Sequence, residues 1–263
     1  KPYREKQLVD LLKEHGLLGS YVDLVEPSPA SDEELMLVHT KDYIDYVKSA
    51  SISGVGYLDY GDTPAFRGVH EAAAIRVGGT LLVTKLVNEG KYVHGFNPGG
   101  GFHHAKPSEA AGFCVYNDIA IAVRWLRNHG VRRVAVVDVD VHHADGTQAV
   151  FNSEDVLLIS THGYDGQFYP GTGWIDEDGA GAGKGLKVNI PLPPHTGDDV
   201  YSMVIDEVIK PILDRYSPEF LVLQFGVDAH TGDELGILDL TTESYLKVLR
   251  VVHEIAHKYA GGK

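Results

Sequence analysis

The 263-residue chain has little cysteine, little sulfur and little basic charge: one Cys, two Met, and 23 Lys+Arg against 37 Asp+Glu. A lone cysteine, Cys114, excludes an intramolecular disulfide framework and fits a reducing, cytoplasmic setting. A formal net charge of −14 argues against direct nucleic-acid binding, because neutralising phosphates needs a basic face. No apolar run approaches the roughly 18 residues of a membrane-spanning helix, so no membrane partner is expected. No secretory leader is visible: Lys1-Pro2-Tyr3-Arg4 runs into a helical pattern, not an apolar stretch. A hydrophobic share of 43% excludes wholesale disorder. No repeat, low-complexity tract or long linker divides the chain, so residues 1–263 read as one domain.

What is present alternates. Helical patterns run over 5–15, 42–50, 68–89, 117–128, 198–216 and 242–260, with a capping box at Ser31 and Glu34 and Asn117 as the cap of the fourth. Pro211 should interrupt the fifth of these. Runs rich in β-branched residues over 134–141, 156–160, 187–190 and 220–225 read as buried strands, and 92–96 as a short one. Strands alternating with helices imply an α/β fold: an open, mostly parallel sheet with helices on both faces.

In such sheets ligands sit beyond the carboxyl ends of strands. Asp138, Asp140 and His142 fall at i, i+2, i+4 at the end of the most apolar strand, so a regular strand would point all three to one side. A carboxylate among valines needs a partner. Asp228 follows the 220–225 strand in the same way. Asp140, His142 and Asp228 make a three-ligand set with room for water, the layout of a catalytic metal site. Two oxygens and one nitrogen suit zinc, with iron(II) or cobalt as alternatives. The loop Gly99-Gly100-Gly101-Phe102-His103-His104 offers a proton-transfer pair, and Asp138 and Asp145 are left to orient the two rings. His143, His162 and His230 lie near this group in sequence. His39, His94, His129, His195, His253 and His257 join no constellation. Cys114 has no adjacent base to activate it and reads as a small buried residue.

Five ordered segments carry a resemblance: Gly100-Gly101-Phe102-His103-His104-Ala105, Gly112-Phe113-Cys114-Val115-Tyr116-Asn117-Asp118, Asp138-Val139-Asp140-Val141-His142-His143-Ala144-Asp145-Gly146, Tyr169-Pro170-Gly171-Thr172-Gly173, and the Asp228 segment. The chain resembles the zinc-dependent histone deacetylase family over nearly its whole length, and its glycine-rich lead into the His pair looks like the class I and acetoin-utilisation branch. The resemblance implies the arginase/deacetylase-like fold and hydrolysis of an acetyl-lysine, or acetylated small-amine, amide. It implies zinc on Asp140, His142 and Asp228. His104 would be general base and then acid, oriented by Asp145; His103 would be its electrostatic neighbour, bonded to Asp138. Asp62, Gly112, Phe113 and Tyr169 would contact substrate. A structural potassium would sit at Asp138, Asp140, His142, Ser160 and Thr161.

The departures carry expectations too. Relative to the family, the chain should lack the first strand and the C-terminal strands, with Lys1-Pro2-Tyr3-Arg4 as the tail of a His-Pro-Glu-like loop. No tyrosine present matches the family's oxyanion donor, whose loss typically costs roughly 10²–10³ in rate. An acyl-lysine-binding, catalytically impaired homologue is therefore the alternative. A binuclear-manganese ureohydrolase fits less well, because the order here is Asp-x-Asp-x-His-His rather than Asp-x-His-x-Asp.

Overall fold

A computed structural model describes residues 3–263; the Lys1-Pro2 part of the expected N-terminal loop lies outside them. Helices α1 (Tyr3–Glu14), α2 (Asp32–Leu35), α3 (Lys41–Ser53), α4 (Val69–Asn88) and α5 (Asp118–Asn128) precede strand β1 (Val134–Asp138). Then come α6 (Asp145–Phe151), β2 (Leu157–Gly163), β3 (Lys187–Leu192), α7 (Asp198–Val204), a π-helical turn (Ile205–Ile209), α8 (Lys210–Tyr216), β4 (Phe220–Gln224) and α9 (Thr242–Ala260). Two helix starts, those of α2 and α5, fall on expected caps. Ser31 and Glu34 bond each other's backbone N–H, and Asn117 Oδ1 accepts from the N–H of Ala120 at 2.8 Å.

The four strands form one parallel sheet in the order β3-β2-β1-β4. Alternate residues bury opposite faces. Ala135, Val137, Leu157, Ile159 and Leu221 pack with Tyr201, Ile205, Ile209, Leu213, Val248 and Val252 of α7, the π turn, α8 and α9. Val134, Val136, Leu158 and Phe220 pack with Ile119, Val123, Leu126 and Phe151 of α5 and α6. A third cluster seats Leu35, Ile44 and Val47 against Val77, Leu81 and Ile121, joining α2 and α3 to α4 and α5. Each fully buried Val, Leu or Ile side chain contributes roughly 1.5–3 kcal/mol relative to exposure. A one-residue slip would exchange the two faces, so this packing also sets the register.

Three elements differ from the sequence reading. The run 134–141 stops being a strand at Asp138. Beyond it the carboxylates capture the backbone: the N–H of Asp140 donates to Asp138 Oδ1 (3.2 Å), that of Val141 to Asp228 Oδ1 (2.9 Å) and that of His142 to Asp140 Oδ1 (2.9 Å). Side chains therefore replace a neighbouring strand. Residues 92–96 are no strand; they are exposed throughout and form no ladder. Helix α6 was not anticipated. Pro211 interrupts as expected, with the π turn ending just before it. No helix of the described residues is long and apolar enough to cross a membrane.

Candidate metal and proton-transfer site

Asp138 pairs in register with Gln224, so the carboxyl ends of β1 and β4 lie side by side and the loops leaving them meet. Asp140 and His142 come from the first loop and Asp228 from the second. His142 Nδ1 lies 2.9 Å from Asp140 Oδ1 and 3.1 Å from Asp228 Oδ2, and one ligand atom from each residue falls within 4.8 Å of the others. With metal–ligand bonds of ~2.0–2.1 Å, tetrahedral donors stand roughly 3.3 Å apart, close to these spacings.

The electrostatics agree. Burial penalises the Asp140 carboxylate, but His103 and His142 outweigh it and hold this carboxyl well below its usual range. Burial and the charge of Asp140 push Asp228 upward. Burial opposes a charge on His142, yet the two carboxylates lift it to about 9. One imidazole proton cannot satisfy two carboxylates. The triangle attracts positive charge, and its O, O, N donor set suits a divalent transition metal.

The His pair stands beside it. His103 Nδ1 bonds Asp138 Oδ2 at 2.8 Å, His104 Nδ1 bonds Asp145 Oδ1 at 2.6 Å, and the two Nε2 atoms face each other at 3.1 Å. His103 Nε2 is 3.8 Å from Asp140 Oδ1. Burial disfavours the charged form of both rings. At His103 the carboxylates of Asp138 and Asp140 win and lift it to about 10. At His104 burial and the neighbouring His103 charge win and lower it to about 4. Two adjacent imidazoles are thus pushed apart into an acid and a base.

The loop carrying them is tied down from beneath. Asp118 accepts from the N–H groups of Gly101 (3.1 Å) and Phe102 (2.8 Å) and from the Thr80 hydroxyl (2.5 Å). Asn117 Nδ2 donates to the carbonyls of His103 (3.3 Å) and Ala105 (3.1 Å). Gln224 Nε2 bonds both the Gly101 carbonyl (3.3 Å) and Asp140 Oδ2 (3.2 Å), linking loop to triangle. Sequence reading gave Asn117 no role beyond the cap and the family motif, and Gln224 none beyond the 220–225 strand. Asn117 caps α5 with one side-chain atom and holds the loop with another. Gln224 had a legible signal: a polar residue ending an apolar strand.

The remaining expected residues gather at the mouth. Gly112, at φ +52°, lies between the His104 ring and the Tyr169 hydroxyl; a Cβ there would collide with the ring. Tyr169 stands edge-on to His104 with ring centroids 5.0 Å apart. Phe113 is 66% exposed and Tyr169 39% exposed, so neither is core packing. Asp62 Oδ1 accepts from the Thr63 hydroxyl, whose oxygen accepts from the Phe113 N–H (3.1 Å), joining the Asp62 loop to the mouth. Phe168, which sequence reading passed over, stacks on His142 at 5.0 Å.

Behind the site, Ser160 is the register partner of Asp138, and its hydroxyl bonds His162 Nδ1 at 3.1 Å. The Thr161 hydroxyl bonds Tyr201 at 2.8 Å. His143 bonds the Thr172 hydroxyl (2.8 Å) and His162 the Gly173 carbonyl (2.9 Å), so both anchor the segment bearing Tyr169. His230 instead closes a local turn, accepting from the N–H of Gly232. Cys114 is buried, and burial raises its thiol well above the usual value, which agrees with an inert role. His94, His253 and His257, expected to join no constellation, converge with one another.

The histone deacetylase domain family matches residues 1–263. The chain is 40% identical over 270 residues to a probable deacetylase of Archaeoglobus fulgidus, covering 100% of this chain and 74% of that protein. It is 41% identical over 252 residues to the acetoin utilization protein AcuC of Bacillus subtilis, covering 92% of this chain and 64% of that protein. The fold superposes on the crystal structure of the HDA15 HD domain with a TM-score of 0.91 at 31% identity, covering 98% of this chain and 75% of that one. The chain thus spans about two thirds to three quarters of the length of these relatives.

Proposed function

The chain belongs to the histone deacetylase family, and from that premise we propose that it is a zinc-dependent amidohydrolase. Its substrate is the acetyl-lysine of a protein or an acetylated small amine. One observation carries the reading: a His pair, each ring backed by its own carboxylate, faces a three-donor metal triangle.

Asp140, His142 and Asp228 would hold the ion, zinc or else iron(II) or cobalt. When bound, it supplies Lewis acidity toward the amide carbonyl and toward water. His104 is neutral at physiological pH, and its Nδ1 proton is committed to Asp145. Its Nε2 therefore accepts a proton from the attacking water and returns it to the leaving amine. His103 keeps its proton and places positive charge where oxyanion charge develops. Phe113 and Tyr169 wall the aliphatic stem, Gly112 offers its carbonyl to the substrate amide, and Asp62 holds substrate backbone at the rim. Acylation has removed the lysine charge, which suits aromatic walls. A potassium at Asp138, Asp140, His142, Ser160 and Thr161 would brace the turn behind the triangle. The single buried cysteine and acidic surface fit a cytoplasmic enzyme.

The test is hydrolysis of an acetyl-lysine peptide by purified protein with its metal content counted. Asp140→Ala should abolish turnover together with about one equivalent of bound zinc. Full turnover by metal-free protein would refute the proposal.

A further inference from the structure

A second cluster of metal-ligating side chains lies on the surface at the far end of α9. His253 and His257 are four residues apart on this helix and share a face. His94, in the segment leading from α4 to the glycine-rich loop, sets a third imidazole against them. His257 Nε2 lies 3.2 Å from His94 Nε2. Ring centroids are 4.9 Å apart for His94–His253, 5.1 Å for His94–His257 and 4.5 Å for His253–His257. One nitrogen from each ring falls within 4.8 Å of the other two, and all three residues are exposed.

The cluster has the marks of a ligand set rather than an ion-pair network. Two of its members meet directly through ring nitrogens, and a nitrogen of the third lies within reach of both. The 3.2 Å separation is close to the roughly 3.3 Å between tetrahedral donors with ~2.0 Å bonds. The segment His253-Glu254-Ile255-Ala256-His257 has the H-E-x-x-H spacing by which one helix face presents two imidazoles to zinc. Glu254 is not among the converging groups, so the spacing here supplies ligands only. Gly262 folds back over the end of α9, close enough that a Cβ would press on the His257 ring and on Val93. Glycine at this position thus leaves room for the His257 ring beside Val93.

We propose that His94, His253 and His257 form a peripheral site for a divalent transition metal of the zinc class, clamping the end of α9 to the segment that feeds the His103–His104 loop. Three nitrogen donors leave a coordination position for water. Copper(II) should bind more tightly than zinc, and zinc more tightly than manganese.

The experiment titrates Zn²⁺ into metal-free protein by calorimetry and counts bound metal by mass spectrometry after dialysis. The wild type should take about two equivalents, and Asp140→Ala and His257→Gln about one each. His257→Gln should leave deacetylation of an acetyl-lysine peptide unchanged. Retention of every equivalent by His257→Gln overturns the proposal. Cu²⁺ loaded into Asp140→Ala supplies a second readout: its paramagnetic resonance spectrum should carry splitting from imidazole nitrogens that His94→Ala diminishes. A spectrum indifferent to His94→Ala also overturns it. Absence of deacetylation would leave both metal counts as expected, so this proposal and the catalytic one fail separately.

Discussion

The Nε2 atoms of His103 and His104 face each other at 3.1 Å, while the opposite nitrogens of the two rings bond different carboxylates, Asp138 and Asp145. This arrangement makes adjacent residues unequal. His103 sits in the field of the Asp138 and Asp140 carboxylates and stays charged, and that charge helps keep His104 neutral.

Asp145→Asn should therefore cost activity without unfolding the protein. Asparagine can accept from His104 Nδ1 but carries no charge to stabilise the imidazolium formed during turnover. A loss of about 10–100-fold in kcat/KM is expected, in line with other orienting partners. Steady-state kinetics on an acetyl-lysine peptide, with circular dichroism as the control, decide the matter. Unchanged kinetics would remove Asp145 from the mechanism.

Metal binding at the triangle should release a proton. His142 is lifted to about 9 by Asp140 and Asp228, so it is protonated at neutral pH before the ion arrives. Zinc must displace roughly one proton per site, and its affinity should rise with pH up to that value. Calorimetry in buffers of different ionisation enthalpy measures the proton count directly. A count of zero at neutral pH would contradict this picture.

Stability should fall in acid through His39. His39 is buried; its Nδ1 donates to the Lys106 carbonyl at 3.1 Å and its Nε2 accepts from the Asn117 N–H at 2.9 Å. Burial lowers it from 6.5 to about 4. Between those values the unfolded chain binds more protons than the folded one. The contribution is thus fully present above pH 6.5 and is lost as pH falls toward 4, by up to about 3 kcal/mol. Urea unfolding at several pH values should show His39→Gln with a shallower acid slope than the wild type. Equal slopes would show that His39 does not couple folding to pH.

Gly112→Ala should disable the site while sparing the fold. The added Cβ would strike the His104 ring, and the position already has φ +52°, unfavourable for alanine. Displacing a reacting group by about 1 Å can cost roughly 10²-fold in rate. The expected result is a large fall in kcat with a smaller change in melting temperature. An active Gly112→Ala would show that the ring has room to move.

The strand runs and helix periods in the sequence place most elements, because burial on both faces of a parallel sheet demands continuous apolar stretches. The metal triangle was expected for the opposite reason, since Asp138 and Asp140 among valines are costly unless partnered; the His pair was expected from its glycine-rich loop, and Asp62, Gly112, Phe113 and Tyr169 only from the family resemblance. The failures have physical causes. Residues 92–96 have strand-like composition but no neighbour to pair with. The run 134–141 has the composition of a strand throughout, but carboxylates bond its backbone after Asp138 and turn it out of the ladder.

Local chemistry in the chain specified which segments bury apolar surface, where most helices lie, and which polar residues needed partners. Distances across the chain were beyond it. His94 and His257 are 163 residues apart in sequence, yet their ring nitrogens meet at 3.2 Å. Gln224 links Gly101 to Asp140 only because β4 lies beside β1. Such contacts depend on which strands become neighbours and how α9 returns over the sheet. Those outcomes follow from the summed packing of three apolar clusters, and no short segment encodes them.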